Sequence, residues 1–181
     1  MSKTILVTGG SSSGKSRWAV SYLAACDYVL YLCTTEKIDA DIMNRIEFGN
    51  KQNFVEWDIK ENISENPASL FTDHKFVIFD NLPAYASRTI KKMCPDISAL
   101  DKATEKEIEK KIISDVSEML DGIAAIDGTM IIITLETGFS LASGDPEHIA
   151  LRRILGIINQ RIANMSNEVY LSASGIQFKI K

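Results

Sequence analysis

Short apolar segments with strand character alternate with stretches of helical period along the whole chain. That alternation predicts a three-layer α/β architecture with a mostly parallel sheet, because parallel strands need helical crossovers between them. Two further observations agree. A turn rich in glycine and serine, Gly9–Ser16, separates the first strand from the first helix. The closing segments Glu168–Ala173 and Gly175–Ile180 read as two strands around Ser174-Gly175, an antiparallel hairpin at one edge of the sheet. At 181 residues, 1–181 reads as one domain with room for a proper core.

The first strand is the apolar run Ile5-Leu6-Val7. The residues after it, Gly9, Gly10, Ser11, Ser12, Ser13, Gly14, Lys15 and Ser16, fit G-x-x-x-x-G-K-[ST]. Arg17-Trp18-Ala19-Val20 then opens a helix, so the motif sits in the strand–loop–helix setting it needs. A loop of small residues can turn its N–H groups inward as a nest for phosphate oxygens, and the helix start adds its own unpaired N–H groups. Lys15 is expected to reach the β- and γ-phosphates of GTP or ATP, and the Ser16 hydroxyl to ligate Mg²⁺. Nothing in the motif chooses between the two nucleotides.

Asp27–Cys33 is the second strand, and Thr34-Thr35 follows at its carboxyl end. Ligands of open α/β sheets gather at that end, which makes both threonines candidate nucleotide contacts, with plain loop hydroxyls as the alternative. A short helix is predicted over Asp39–Phe48, with Ile42 and Ile46 inward and Gly49 as its stop. Phe54–Ile59 alternates apolar and polar residues and suits an edge strand. Asn66-Pro67 reads as the cap and first residue of another short helix.

Lys75–Asp80 is an apolar strand ending in a carboxylate, the pattern of a Walker B strand. Asp80 can hold Mg²⁺, directly or through water, opposite Ser16. Asn81-Leu82-Pro83 leads into a helix to about Met93, and Cys94–Asp101 is a connection. Thr104-Glu105-Lys106-Glu107 has the form of a capping box. The helix it opens carries Ile108, Ile112, Val116, Met119 and Ile123 inward and a solvated Lys/Glu face outward. Thr129–Leu135 is the most apolar strand and should be central. Glu136 after it is a candidate to orient an attacking hydroxyl or a metal-bound water, against the plain reading of a surface carboxylate. Residues 139–145 form a small-residue loop. Asp145-Pro146 then caps a helix to about Met165 that turns Ile154, Leu155, Ile158 and Ile162 inward.

A net charge of −4, with no basic stripe interleaved with aromatics, argues against a nucleic-acid partner. Cys26, Cys33 and Cys94 are scattered and lack metal-ligand spacing, as in a reduced, cytoplasmic protein. The chain enters its first strand at once, so no signal peptide is expected. No apolar run reaches the ~20 residues of a membrane span.

Taken together, ILVTGGSSSGKS, YLCTT, Trp57 with Glu61, TLETG, Gly156 with Asn159-Gln160-Arg161, and the ending EVYLSASGIQFKIK resemble the bifunctional adenosylcobinamide kinase / adenosylcobinamide-phosphate guanylyltransferase family over nearly the whole chain. The resemblance implies a RecA-like P-loop fold and a homotrimer in the bacterial cytoplasm. It implies phosphorylation of the aminopropanol hydroxyl of the corrinoid adenosylcobinamide by a nucleoside triphosphate. Transfer of GMP through a GMP–histidine intermediate would follow. Carried over by position, the nucleotide contacts are Gly9 to Ser16, Thr34, Thr35, Glu61 and Asp80. Lys15, Asp80 and Glu136 are the catalytic candidates, and Ser16 and Asp80 the metal ligands.

The departures are specific. Where the family histidine would follow Arg45-Ile46-Glu47, this chain has Phe48-Gly49-Asn50. Neither Phe nor Gly can form a phosphoramidate, which counts against the guanylyl-transfer half. The two histidines, His74 and His148, lie elsewhere. Pro83, TLETG, ASGDPEH and Arg152-Arg153 also depart from the family pattern and mark a divergent member. Two readings result: a P-loop kinase acting on adenosylcobinamide, or a non-catalytic nucleotide- or corrinoid-binding paralogue with an assembly or regulatory role.

Overall fold

In a sheet buried on both faces, successive side chains of each strand must serve two different cores. The computed structural model, which describes residues 2–139 and 144–181, is built this way. Most of the loop expected over 139–145 lies outside the described residues. The elements are β1 (Lys3–Gly9), α1 (Lys15–Tyr22), β2 (Val29–Cys33), α2 (Ala40–Asn53), β3 (Trp57–Lys60), β4 (Phe76–Asp80), α3 (Leu82–Met93), α4 (Lys102–Ala125), β5 (Thr129–Ile133), α5 (Pro146–Met165), β6 (Glu168–Ala173) and β7 (Ile176–Lys179). The strands form a seven-stranded sheet in the order β3-β2-β4-β5-β1-β6-β7. Neighbours pair in parallel except β6 and β7, the antiparallel hairpin. As expected, β5 is central and β3 lies at an edge.

Ile5 and Val7 of β1, Tyr31 and Cys33 of β2, Ile78 of β4 and Ile131 and Ile133 of β5 pack under α1 and α2. Their chain neighbours Leu6, Leu30, Leu32, Val77, Phe79, Met130 and Ile132 pack under α3, α4 and α5. The inward residues read from the sequence on α4 and α5 all belong to that second core. The connection after β1 therefore leaves toward one face, and those after β4 and β5 leave toward the other. A crevice at the carboxyl ends of these strands is the consequence.

Several boundaries differ from the sequence reading. Gly49 does not stop α2, which runs on to Asn53 and ends at Phe54 in a left-handed conformation, φ 56°. One mid-helix glycine costs only about 1 kcal/mol. The Asn53 side chain also ties the last turn to Gly49 O and Ala24 O, each at 3.0 Å. Phe54 is consequently 95% exposed, and β3 starts at Trp57, whose indole N–H donates to Cys26 O at 3.0 Å. At α4 the cap is Asp101, accepting from Thr104 N at 2.7 Å. The expected capping box thus falls inside the helix, because a carboxylate three residues earlier already satisfies that N–H. Instead of a helix capped by Asn66, a single 3₁₀ turn, Ala68–Leu70, follows with Pro67 at its cap position, while the Asn66 side chain accepts from Ala68 N at 3.0 Å. Among the described residues no helix is long and apolar enough to cross a membrane.

Glu168 fastens the hairpin edge. Its carboxylate meets Lys179 Nζ of β7 at 2.7 Å and Lys3 Nζ of β1 at 3.1 Å, and accepts from the Tyr170 hydroxyl at 3.0 Å. Lys179 first, then Lys3 and Tyr170, hold its pKa down from the ordinary 4.5 to about 2. A carboxylate with a depressed folded-state pKa contributes stability that is complete above its unfolded pKa and drains as pH falls through the folded one. The melting-temperature gap between wild type and Glu168→Gln is therefore expected to be constant above about pH 5 and to close between about pH 4.5 and 2. A gap that persists undiminished in acid would contradict this assignment.

Candidate functional site

The loop between β1 and α1 is shaped by what its glycines leave out. A Cβ on Gly9 would lie 2.2 Å from the Ser172 carbonyl oxygen of β6. Gly14 caps α1 in a left-handed conformation, φ 93°, and a Cβ there would sit 3.2 Å from Gly175 Cα. The turn of the β6–β7 hairpin thus rests directly on the loop. Ser172 Oγ donates to Ser13 O at 2.7 Å, and Gly175 N donates to the same oxygen at 3.0 Å. Gln177 Nε2 in turn donates to Ser172 Oγ at 3.1 Å.

Lys15 is the first residue of α1. Its ammonium donates to Gly10 O at 2.6 Å, Gly9 O at 3.1 Å and Ser13 Oγ at 3.4 Å, so it lies within the concavity of the loop. Burial lowers its pKa, and the charge of Asp80 acts in the opposite direction. Two cavities open beside it. One of about 330 Å³ is walled by Ser12 to Arg17 with Asp39, Asp41 and Ile42. The other, about 320 Å³, is walled by Ser16, Asp39 and Ile42 together with Tyr31, Cys33, Thr35, Lys37, Asp80 and Asn81. Ser16, Asp39 and Ile42 wall both, so the two adjoin as neighbouring parts of a crevice.

Asp80 ends β4. Phe76 and Ile78 point toward α1 and α2, so the strand period sends Asp80 to that same face, the side from which α1 carries Ser16. The Tyr31 hydroxyl donates to Asp80 Oδ2. Burial first, then the Asp80 charge, push the Tyr31 pKa well up, so the phenol keeps its proton. Among the described residues no three His, Cys, Asp or Glu side chains gather as a metal cage. Mg²⁺ does not need one: beside nucleotide phosphates it keeps waters and takes one or two protein oxygens. A hydroxyl and a carboxylate on one crevice fit that demand.

The other expected residues fall in different places. Thr34 is fully buried, and its hydroxyl accepts from Asn81 N and donates to Asn81 O, both at 2.7 Å. Its N–H donates to Asp80 O at 2.8 Å. With those groups engaged inside the protein, Thr34 supports residues 80 and 81. Thr35 does line the crevice, its hydroxyl donating to Lys37 O at 2.9 Å. Glu61 accepts from Ile38 N at 2.8 Å and so braces the segment that carries Thr35. Glu136 follows β5, between β4 and β1 in the sheet. Its N–H donates to Gly9 O at 3.0 Å, and its carboxylate accepts from Gly138 N at 3.3 Å and Thr8 Oγ1 at 3.5 Å.

Tyr31 and Asp39 were not singled out from the sequence. Tyr31 reads as one more core residue of an apolar strand, and only the cross-strand register shows its hydroxyl reaching Asp80. Asp39 reads as the first residue of a short helix; it is that helix's cap, accepting from Asp41 N at 2.9 Å while also walling the crevice. Phe48 stands 68% exposed on α2. His74 precedes β4, at the amino end of the sheet, and its Nε2 lies 2.6 Å from Asp58 Oδ2. His148 is in the first turn of α5.

Residues 5–180 match the family described as cobinamide kinase / cobinamide phosphate guanyltransferase. The bifunctional adenosylcobalamin biosynthesis protein CobU of Escherichia coli K12 is 26% identical over 180 residues, covering 98% of this chain and 99% of that protein. Its counterpart in Salmonella typhimurium LT2 is 27% identical over 188 residues, with the same coverage of 98% and 99%. Among solved structures, a type III secretion system ATPase of pathogenic bacteria superposes with TM-score 0.56 at 13% identity, over 93% of this chain and 51% of that one. A KaiC-like protein from Pyrococcus horikoshii superposes with TM-score 0.52 at 15% identity, over 93% and 71%. These two likenesses concern the fold, the mostly parallel sheet of RecA-like P-loop ATPases, and this chain spans about half the length of the first. A match from the first strand to the last, shared with two relatives of the same length, decides the matter: the chain belongs to the cobinamide kinase / cobinamide phosphate guanyltransferase family.

Proposed function

We propose that this protein is a nucleoside-triphosphate-dependent kinase of cobalamin biosynthesis, moving the γ-phosphoryl group of GTP or ATP to the aminopropanol hydroxyl of adenosylcobinamide. The observation that carries this reading is the shared crevice: Lys15 in the loop concavity, and Ser16 facing Asp80, at the carboxyl ends of β1 and β4. The acceptor oxygen forms a bond to the γ-phosphorus as the bond to the β–γ bridging oxygen breaks, and the hydroxyl proton leaves to a nearby base. The loop N–H groups and Lys15 bind the phosphates and stabilise charge on the equatorial oxygens. Ser16 and Asp80 would hold Mg²⁺, which when bound supplies further charge neutralisation. Glu136, whose N–H is tied to Gly9 O, would take the proton. Positioning and electrostatics suffice, since phosphoryl transfer asks little covalent chemistry of the protein.

The same reading includes a homotrimer in the cytoplasm, as a single nucleotide-binding domain. The exposed apolar side chains Ile176 and Phe178 of the edge strand β7, with Ile180 just after it, offer a surface for self-association.

One observation favours a narrower activity than the family name describes. Phe48 occupies the position where a guanylylated histidine is expected, and His74 is held by Asp58 at the opposite end of the strands. The protein therefore phosphorylates without forming a GMP–protein intermediate. A binding-only paralogue is the second reading, favoured by the same replacement.

Incubation with γ-labelled GTP or ATP and adenosylcobinamide separates these readings. Label on the corrinoid is expected, whereas nucleotide bound but unconsumed would support the binding module. Lys15→Ala is expected to lower kcat/KM by at least about 100-fold; wild-type turnover would remove the loop from the mechanism. With α-labelled GTP, no acid-labile protein adduct should form, and its appearance would reinstate a histidine nucleophile.

A further inference from the structure

Tyr31 is 1% exposed, within the apolar layer that also holds Ile42, Ile46 and Ile78. A phenylalanine would fill that layer as well. The hydroxyl is the difference, and it donates to Asp80 Oδ2. The register shows how it reaches. Tyr31 pairs with Ile78 and Cys33 pairs with Asp80, so Tyr31 is the diagonal neighbour of Asp80, within the span of a long aromatic side chain. Thr34, just after β2, steadies the same end of β4, its N–H donating to Asp80 O at 2.8 Å and its hydroxyl bridging both backbone groups of Asn81.

We propose that Tyr31 is a positioning residue that occupies one carboxylate oxygen of Asp80 and so presents the other, Oδ1, to Mg²⁺ or a metal-bound water beside Ser16. The proposal rests on the reading of Asp80 as the metal-side carboxylate. The buried phenol acts through Asp80, whose Oδ2 it occupies. An outer partner of this kind sets which oxygen faces the metal and at what angle, and its loss weakens metal binding about 10- to 100-fold. A tyrosine that merely packs the core would leave metal dependence untouched on removal of its hydroxyl.

The test is Tyr31→Phe, which keeps the ring. Binding of a fluorescent GTP analogue is followed while Mg²⁺ is titrated, with metal-free binding and the thermal midpoint measured alongside. The Mg²⁺ concentration at half-effect is expected to rise about 10- to 100-fold in the variant. In an Asp80→Asn background, adding Tyr31→Phe is expected to move it no further, because the two residues act as one unit. Equal Mg²⁺ midpoints in wild type and Tyr31→Phe would overturn the proposal while leaving the Asp80 reading intact. Wild-type binding that is indifferent to Mg²⁺ would overturn that reading, and the proposal with it.

Discussion

The loop after β1 keeps its shape because another strand presses on it. Gly9 has no space for a side chain beside the Ser172 carbonyl, and Ser13 O receives hydrogen bonds from both the Ser172 hydroxyl and Gly175 N. Residues from the two ends of the chain are thereby locked together, through the parallel pairing of β1 with β6. An anion site made of backbone N–H groups needs such enforcement, since small residues alone leave a loop many conformations. The same pressure sets the start of α1, and with it the direction in which Lys15 and Ser16 point.

Around that contact the sheet order does the rest. Placing β4 and β5 between β2 and β1 brings Asp80, Glu136 and Gly9 to the carboxyl end of the sheet from distant parts of the chain. The chemistry proposed here divides along that line. Groups on the α1/α2 face, namely Ser16, Asp80, Tyr31 and Asp39, wall the cavity to which the proposal assigns the metal and the phosphates. Glu136 approaches from the loop after β5, on the side where α5 follows. A cation on the loop, with carboxylates facing it across the crevice, is an arrangement that favours a triphosphate carrying its own divalent ion.

Much of this was legible in the sequence. The two-sided burial of the strands shows as unbroken apolar runs, and the helix faces of α4 and α5 show as helical spacing. Local rules faltered where two signals competed. Gly49 resembled a stop until the run of helix-tolerant residues after it outweighed one glycine. Thr104 resembled a cap until Asp101 satisfied its N–H first. The site divided in the same way. The loop motif and Asp80 carry their own local signature. Tyr31, the inward role of Thr34 and the seat of the hairpin on the loop do not, because each depends on which strands become neighbours. No property of VLYLC as a segment distinguishes a tyrosine that fills space from one that grips a carboxylate on the next strand.

The central claim is a main-chain cradle near the amino terminus that binds a purine nucleoside triphosphate. Isothermal titration calorimetry of the purified chain with GTP and with ATP, in the presence of Mg²⁺, tests it most directly. Saturable heat with at least one of them, at one nucleotide per chain, is the predicted result. Absence of heat with both would contradict the account, and would leave membership of this family without the activity its name describes.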